Sequence, residues 1–483
     1  MILSEEQQNA LDRFIKGENI CITGPGGTGK TFLIKEMIQH TKKNIQVCAM
    51  TGCAAILLQC NAKTIHSWSG IKLANGEIED IVESISNNKW LRKTWRSTQV
   101  LIIDEISMMS AKIFELLNIT AKTCRNNSKP FGNMQIVFLG DFYQLPPVSK
   151  NEYDNNSHKF CFESDEWFNV FPIQNHIILE KIFRQDDEKY RNILMNIRKG
   201  KIDNEIEEIL IERVIKNKKD INEDEIIKIF PLKRKVETVN IKNFLKLEGE
   251  EYCSDIEIRK DLVYYENGKS GNAEIPSKMI DAYKRASQKQ IEFEINNLIN
   301  NNPAINELKL KIGARVMCIV NYDMDNEICN GSQGTILDIF SNNNSEILTV
   351  TVLFDNGIKK IITKYAWQSE TYPNIALFQF PLILAWAITI HKIQGATLDN
   401  AIMDIGDDIF EYGQTYVALS RIKSLSGLYL TSFNIDKIKV NPIVVEFYDK
   451  IYQYRDNNPI SDTFISDMDK FKCKDDDIKI IKW

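Results

Sequence analysis

Eight residues constrain this chain more than any others: GPGGTGKT, Gly24 to Thr31, which fits G-x-x-x-x-G-K-[ST]. They stand directly after the strand-like run NICIT and directly before the helix-like run TFLIKEMIQH, the setting in which such a loop wraps phosphate. Gly24, Gly26, Gly27 and Gly29 let the main chain turn its amides inward around Thr28, and the helix N-terminus adds positive potential. Lys30 is placed to reach the outer phosphates and Thr31 to ligate Mg²⁺. Chance alone yields such a string in roughly two of a hundred chains of this length, so an ordinary Gly-rich turn is the weaker reading.

The surroundings agree. From Asn19 to Val148 strand and helix signals alternate through NICIT, TFLIKEMIQH, IQVCAMT, QVLIIDE and QIVFLGD, which predicts a parallel α/β sheet with its ligands outside the carboxyl ends of the strands. LIIDE ends in two carboxylates, Asp104 suited to hold the metal and Glu105 to activate water. Alone, acids at a strand end are more often a solvated loop start; downstream of a phosphate loop the catalytic reading prevails. QIVFLGD runs into FYQLPP, where Gln144 is a candidate γ-phosphate sensor, with a plain loop residue as the bland alternative. A second GKS, Gly268 to Ser270, has Val263 where the first glycine belongs and follows no clean strand, so it is a decoy. One complete site in a chain with two α/β halves predicts nucleotide between them, with cations from the second half, for which Arg184 and Arg421 are the candidates.

At 483 residues the chain exceeds what one core usually serves, so several compact units are expected. A net charge of -6 argues against a broad basic surface, and any polynucleotide must sit in a local groove. The cysteines form no CxxC pair and the five histidines no zinc spacing, which predicts reduced thiols. MILSEEQQ resembles neither a secretory signal nor a mitochondrial transit peptide, and the longest apolar stretch, Pro381 to Ile388, is too short for a bilayer. A soluble intracellular protein, nuclear or cytoplasmic according to host, with no membrane partner, is the expectation. Between Gly70 and Thr98 a polar excursion with a helix near Glu77 to Asn87 predicts a small subdomain. A second α/β region opens at HIILEKIFR, passes through IIKIFPL, and resumes with FPLILAWAITI and GLYLTSF. Its interruption holds LKLKIGARVMCIVN, GTILDIF, ILTVTVLF and IKKIITKYAW, the last two joined by an Asp355-Asn356-Gly357 turn, which predicts a small all-β barrel. Ser254 to Asn302 shows no clear period, and the mixed-charge tail from Lys450 reads as a solvated or loosely docked end.

Over about Leu3 to Phe433 the order and spacing of segments resembles the Pif (petite integration frequency) family of superfamily 1, group B, helicases. LSEEQ looks like the family's Q motif, in which Gln7 would contact adenine; TGCAA and TIHSW look like early DNA-contact motifs; LGDFYQLPPV resembles motif III and IFRQ motif IV. LILAWAITIHKIQGATLD and YVALSRIKS, similar to motifs V and VI, are far more specific than the phosphate loop, and Gly395 within the former joins the nucleotide set. GARVMCIVN with NGSQG resembles the opening of the family's Src-homology-three-like barrel. Ile393 departs from the Ser of many members.

The resemblance implies two RecA-like P-loop motor domains with a wedge and the inserted barrel: 1–175 with the wedge at about 70–98, then 176–253, the insertion 254–375, 376–449, and a tail 450–483. It implies ATP and Mg²⁺ as cofactors, Arg184 and Arg421 closing on the γ-phosphate, and travel 5′ to 3′ along single-stranded DNA into tailed or forked duplexes. A monomer, working with replication or repair proteins, is implied too. Strand contacts fall to Thr51, Gly52, Thr64, His66, Trp68, Thr389, His391 and Lys392. For the histidines and for Trp68 the competing reading is an ordinary core residue. Two other functions compete: a phosphate-loop ATPase or kinase for a small molecule, and a nucleic-acid clamp that uses ATP as a switch without unwinding.

Overall fold

Alternation at a period of two decides the first half of the chain. The strands β1 (Ile20–Thr23), β2 (Ile45–Ala49), β3 (Lys63–Thr64), β4 (Val100–Asp104), β5 (Gln135–Gly140) and β6 (His176–Ile178) send successive side chains to opposite faces, yet every residue of β1, β4, β5 and β6 is buried. Strands apolar on both faces need a layer of helices on each. On one face Ile20, Ile22, Ile102, Val137 and Leu139 pack with Leu11 and Phe14 of the helix Glu5–Ile15 and with Leu33, Ile34 and Met37 of the helix Lys30–Gln39. On the other, Cys21, Leu101, Ile103 and Phe138 pack with Phe114 and Leu117 of the helix Ala111–Arg125 and with Trp167 and Phe171. All pairings are parallel, in the order β3-β2-β4-β5-β1-β6, so the strands deliver their carboxyl ends to one edge. The computed structural model describes residues 3–457 apart from 52–53, 56–57, 59, 61, 72–73, 75–76, 149–155, 216–225, 262, 267–268, 276, 303, 321, 324–325, 327, 329–330, 343–345 and 370–371.

The polar excursion forms the expected helix at Ile78–Asn87 and a second at Lys89–Ser97, capped by the Asn88 side chain, which accepts from the amides of Trp90 and Leu91. Their apolar residues Val82, Ile85 and Trp95 join the core around Phe114, so both helices lie on the first sheet's helix layer.

A second parallel sheet has the order Ala387–Thr389, Lys228–Phe230, Ala401–Ile405, Leu428–Phe433. Between its parts runs antiparallel structure: a sheet ordered Lys359–Ile362, Ile347–Phe354, Gln333–Ser341, Arg315–Cys318, Leu382–Leu384, and a smaller one ordered Tyr365–Gln368, Ile375–Gln379, Glu257–Lys260. The Asp355–Gly357 turn forms where expected, with Gly357 at φ 85°. The larger antiparallel sheet and the second parallel sheet share one continuous core. Ser254 to Asn302, without period in the sequence, holds Glu257–Lys260, two short strands and the helices Ser277–Arg285 and Gln288–Asn301. Gly268 of the GKS decoy lies outside the described residues; Lys269 and Ser270 open a strand paired antiparallel with Val263–Glu266, and no helix follows directly. No helix among the described residues is long and apolar enough to cross a membrane.

Three expected boundaries move. His176–Ile178 pairs with β1, so the first half ends after β6 and not at residue 175; a three-residue apolar strand takes its sheet from long-range register. FPLILAWAITI is two strands: Leu382–Leu384 closes the antiparallel sheet and only Ala387–Thr389 enters the second parallel sheet, so the insertion runs past 375. The tail set at 450–483 starts inside the helix Pro442–Asn457, whose Val444, Phe447, Tyr448 and Ile451 are buried in the first half's core, with Phe447 stacked on Phe162 at 4.2 Å. That helix returns to the first sheet, and the rest of the expected tail, 458–483, lies outside the described residues.

Candidate nucleotide site and strand-contact residues

The loop after β1 turns as its composition requires. Gly27 and Gly29 sit at φ 88° and 77°, and side chains there would also collide, a Cβ on Gly27 lying 2.5 Å from Arg184 Cβ and one on Gly29 lying 2.8 Å from Gln7 Nε2. The helix Lys30–Gln39 then starts with no side-chain cap, leaving its first amides for a ligand. Lys30 Nζ donates to the carbonyls of Gly24 at 2.7 Å and Pro25 at 2.9 Å; burial holds its pKa below the usual lysine range, against the pull of Asp141, Glu105 and Asp104. Thr31 is exposed and the Thr28 hydroxyl donates to Pro25 O at 3.0 Å. Gln7, buried in the first turn of its helix, accepts from Ser4 N–H through Oε1 and donates through Nε2 to Thr28 O at 3.0 Å, so the Q-motif glutamine braces the loop directly.

Asp104 closes β4 and is buried. Burial first, and the neighbouring Glu105 charge second, push its carboxyl well above the usual range, to about 7. Glu105 occupies the left-handed region at φ 56°, a conformation that costs a non-glycine residue about 1–2 kcal/mol and that concentrates at functional sites. Its N–H donates to Asp104 Oδ1 at 2.8 Å, and its carboxylate accepts from Gln394 Nε2 at 3.1 Å, a contact reaching across from the second half. Gln144 is buried, and its Oε1 has no hydrogen-bond partner among the described residues.

Both arginines converge on the loop. A Cβ on Gly26 would stand 3.5 Å from Arg421 Nη2 and 3.6 Å from Arg184 Nη1, and neither guanidinium is ion-paired to a carboxylate among the described residues. Arg421 is 2% exposed, and burial lowers its pKa; burial and then the like charge of Arg421 lower that of Arg184 to about 9. Two cations held side by side against a phosphate loop make a site suited to an anion. The uncapped helix and this cation pair fit a triphosphate, and the buried Gln144 oxygen, an acceptor, fits a donor such as water; Thr31 and Asp104, hydroxyl and carboxylate oxygens, fit Mg²⁺.

The segment bearing Arg421 is held by Arg184 and by two side chains the sequence reading passed over, Tyr190 and Gln185. The carbonyl of Leu419 accepts from Tyr190 Oη at 2.8 Å, that of Ser420 from Arg184 and Gln185 at 3.2 Å each, and that of Ile422 from Gln185 at 3.0 Å. Gln185 thus grips the main chain on both sides of Arg421. Tyr416 Oη accepts from Gly26 N–H at 3.0 Å, a second bond between halves. Gln185, Tyr416 and Gln394 stand inside IFRQ, YVALSRIKS and IHKIQG, so the signal was present, overshadowed by the charged letters beside them. Gly395, at φ 85°, follows Gln394.

The strand-contact candidates lie at or just after the carboxyl ends of β2, β3 and the strand Ala387–Thr389. Thr51 comes two residues after β2; Thr64 ends β3 and caps the helix Ile65–Ser69 by accepting from Ser67 N–H at 3.2 Å, with half-buried His66 next. Thr389, His391 and Lys392 follow the outer strand of the second sheet, with the His391 ring stacked on Phe410 at 6.3 Å. Burial lowers the pKa of both histidines, which favours neutral rings. Gly52 lies outside the described residues. Trp68 is corrected to a core residue: 4% exposed, it packs on Trp95 at 4.6 Å and offers no face for a base. Trp386 is buried likewise, and Trp367 packs on Tyr365 at 4.9 Å.

The family model for PIF1-like helicases matches residues 2–208, and that for the 2B domain of the DNA helicase Pif1 matches 292–339. The ATP-dependent DNA helicase Pif1 of Bdellovibrio bacteriovorus is 33% identical over 92% of this chain and 91% of its own length. The chain belongs to the PIF1-like helicase family. It spans 56% of the length of another relative, the ATP-dependent DNA helicase PIF1 of Candida albicans, at 30% identity over 93% of this chain. Among solved structures, Pif1 helicase from Candida albicans superposes at a TM-score of 0.72 with 31% identity, covering 94% of this chain and 100% of that one. Pif1 helicase from Bacteroides in complex with ADP-AlF3 and ssDNA follows at a TM-score of 0.66 and 28% identity, covering 94% and 98%.

Proposed function

We infer that this chain is an ATP-dependent DNA helicase whose single nucleotide site lies between its two parallel-sheet lobes. The observation that carries the reading is the convergence of Arg184 and Arg421 on the loop of Gly24 to Thr31. Lys30 exchanges loop carbonyls for the outer phosphates, Glu105 orients and deprotonates the attacking water, Gln144 contacts the γ-phosphate, and the two guanidiniums stabilise the charge that develops on it. Mg²⁺, held by Thr31 and Asp104, supplies further charge neutralisation when bound. Gln7 both braces the loop and faces the adenine, and Gly395 keeps the motif V turn close to the nucleotide.

Opening and closing of this cleft moves the second lobe against the first, and a strand gripped by Thr51, Gly52, Thr64 and His66 on one and Thr389, His391 and Lys392 on the other is stepped along. We read the larger antiparallel sheet as the Src-homology-three-like barrel and the two helices after Gly70 as the wedge that meets the duplex. The protein acts as a monomer moving 5′ to 3′ on single-stranded DNA. A strand-displacement assay on 5′-tailed and 3′-tailed duplexes tests this: ATP-dependent release of the 5′-tailed substrate is expected. Equal release of both would reject the polarity, and release of neither would leave an ATP-switched clamp.

A further inference from the structure

One interlobe contact remains outside this scheme. Asp141, directly after β5 and three residues before Gln144, is fully buried, and its carboxylate accepts from Arg198 through Nη2 at 2.7 Å and through Nε at 3.0 and 3.2 Å. Arg198 ends the helix Glu188–Arg198, whose Tyr190, Ile193, Leu194 and Ile197 belong to the second lobe's core. Its guanidinium lies over the Tyr143 ring at 4.3 Å and near the Tyr448 ring at 5.4 Å, and those two rings stack on each other at 4.8 Å. Gln144 N–H donates to Asp141 O at 2.9 Å, and the next residue, Leu145, is buried in the second lobe's core. The segment bearing the Gln144 side chain is therefore bolted to the opposite lobe at both ends.

A buried ion pair is a weak source of stability, because desolvation offsets the attraction and an apolar pair of similar volume often serves as well. What a bidentate, ring-stacked guanidinium supplies is a fixed direction and distance. Two lines meet here: the pair spans the lobes, and it holds the main chain of Gln144, whose buried oxygen is an acceptor suited to the attacking water while its amide N–H₂ is the group that can donate to phosphate. Lys30 feels both members, Asp141 raising and Arg198 lowering its proton affinity, which places the pair within electrical reach of the phosphates.

We propose that Arg198 is a positioning residue for ATP hydrolysis: through Asp141 it sets Gln144 against the γ-phosphate when the second lobe is seated, so that turnover depends on lobe contact. The inference rests on the motor reading above. Two variants test it, Arg198→Lys, which keeps the charge and loses the fork, and the double variant Asp141→Asn with Arg198→Gln, which neutralises both groups. Turnover and KM for ATP are measured with and without an oligo-dT strand, together with ADP affinity and melting temperature. Misplacing a reacting group by about 1 Å costs on the order of a hundredfold, so strand-stimulated kcat should fall about tenfold to a hundredfold, with KM moving far less. ADP, which has no γ-phosphate, should bind within about threefold of the wild type, a split that a merely structural role does not produce. Wild-type kcat in both variants overturns the assignment; so does a joint fall of kcat, ADP affinity and melting temperature, or failure of both to fold, since the pair is then a strut. If the unaltered protein shows no response to the strand, the motor reading fails instead, and the same comparison without strand decides Arg198.

Discussion

Replacing Arg421 by Ala removes a cation placed against the phosphate loop while leaving the loop itself untouched. Arg421 Nη2 stands 3.5 Å from where a Cβ on Gly26 would lie, and a phosphate in contact with that guanidinium would put the two charges about 4 Å apart. At that distance and an effective dielectric of about 20, one unit charge is worth about 4 kcal/mol. Spent only on charge that develops in the transition state, this amounts to about 10³ in kcat. The guanidinium also donates to Val417 O at 3.0 Å and Ser420 Oγ at 2.8 Å, bonds the truncation removes, but Tyr190, Arg184 and Gln185 still hold the adjoining carbonyls, so the segment should keep its course. The assay is steady-state ATPase with saturating oligo-dT alongside nucleotide affinity by fluorescence titration, and Lys30→Ala serves as the contrast that loses binding. A kcat loss below about tenfold, or a loss of ATP affinity as large as the loss of turnover, would refute the reasoning.

Glu105→Gln keeps the shape and the Gln394 contact but removes the base, so ATP should remain bound and unhydrolysed with the strand held; rapid single-turnover hydrolysis would contradict its role. Asp104, whose folded carboxyl is held to about 7 by burial and by Glu105, keeps its proton folded and loses it unfolded between about pH 4 and pH 7. Stability of the nucleotide-free protein therefore falls as pH rises through that window, and Asp104→Asn should flatten the slope of melting temperature against pH; an unchanged slope would assign it to other groups. Trp68→Ala opens a cavity in the first core, which should cost about 3–5 kcal/mol in a denaturant melt and leave single-strand affinity at the wild-type level. A selective loss of strand affinity at unchanged stability would restore Trp68 to the strand site.

Chemistry was legible where it is local. The phosphate loop, the acids of LIIDE and the arginines of IFRQ and YVALSRIKS are readable because each motif asks for particular residue types on a particular turn, and the structure brings Arg184 and Arg421 to the loop of Gly24 to Thr31. The strands β1, β4 and β5 were equally plain as short continuous apolar runs, since both faces are buried. What escaped was long-range. Nothing in HIILEKIFR says that its strand pairs with β1, and nothing in FPLILAWAITI marks the change of sheet between Leu384 and Ala387. The Pro442–Asn457 helix returns to the first core through Phe447 and Tyr448, a packing choice its mixed charge disguised. Trp68 shows the same limit on a smaller scale: the motif fixes its position in the chain, but Trp95, on a helix the sequence reading did not resolve, decides which way it faces. Arg198 gave no signal, because a lone arginine at a helix end is ordinary until its buried carboxylate is seen.

A triphosphate site completed by Arg421 from across the cleft and by Arg184 from the connector after β6 is the core of the proposal. An experimental structure of the full chain with a transition-state mimic of ATP and a short oligo-dT strand tests that most directly. It should show Arg184 and Arg421 donating to the γ-phosphate mimic, with the strand crossing the Thr64 and His391 ends of both sheets. Guanidiniums turned away from the mimic, or a strand confined to one lobe, would contradict it.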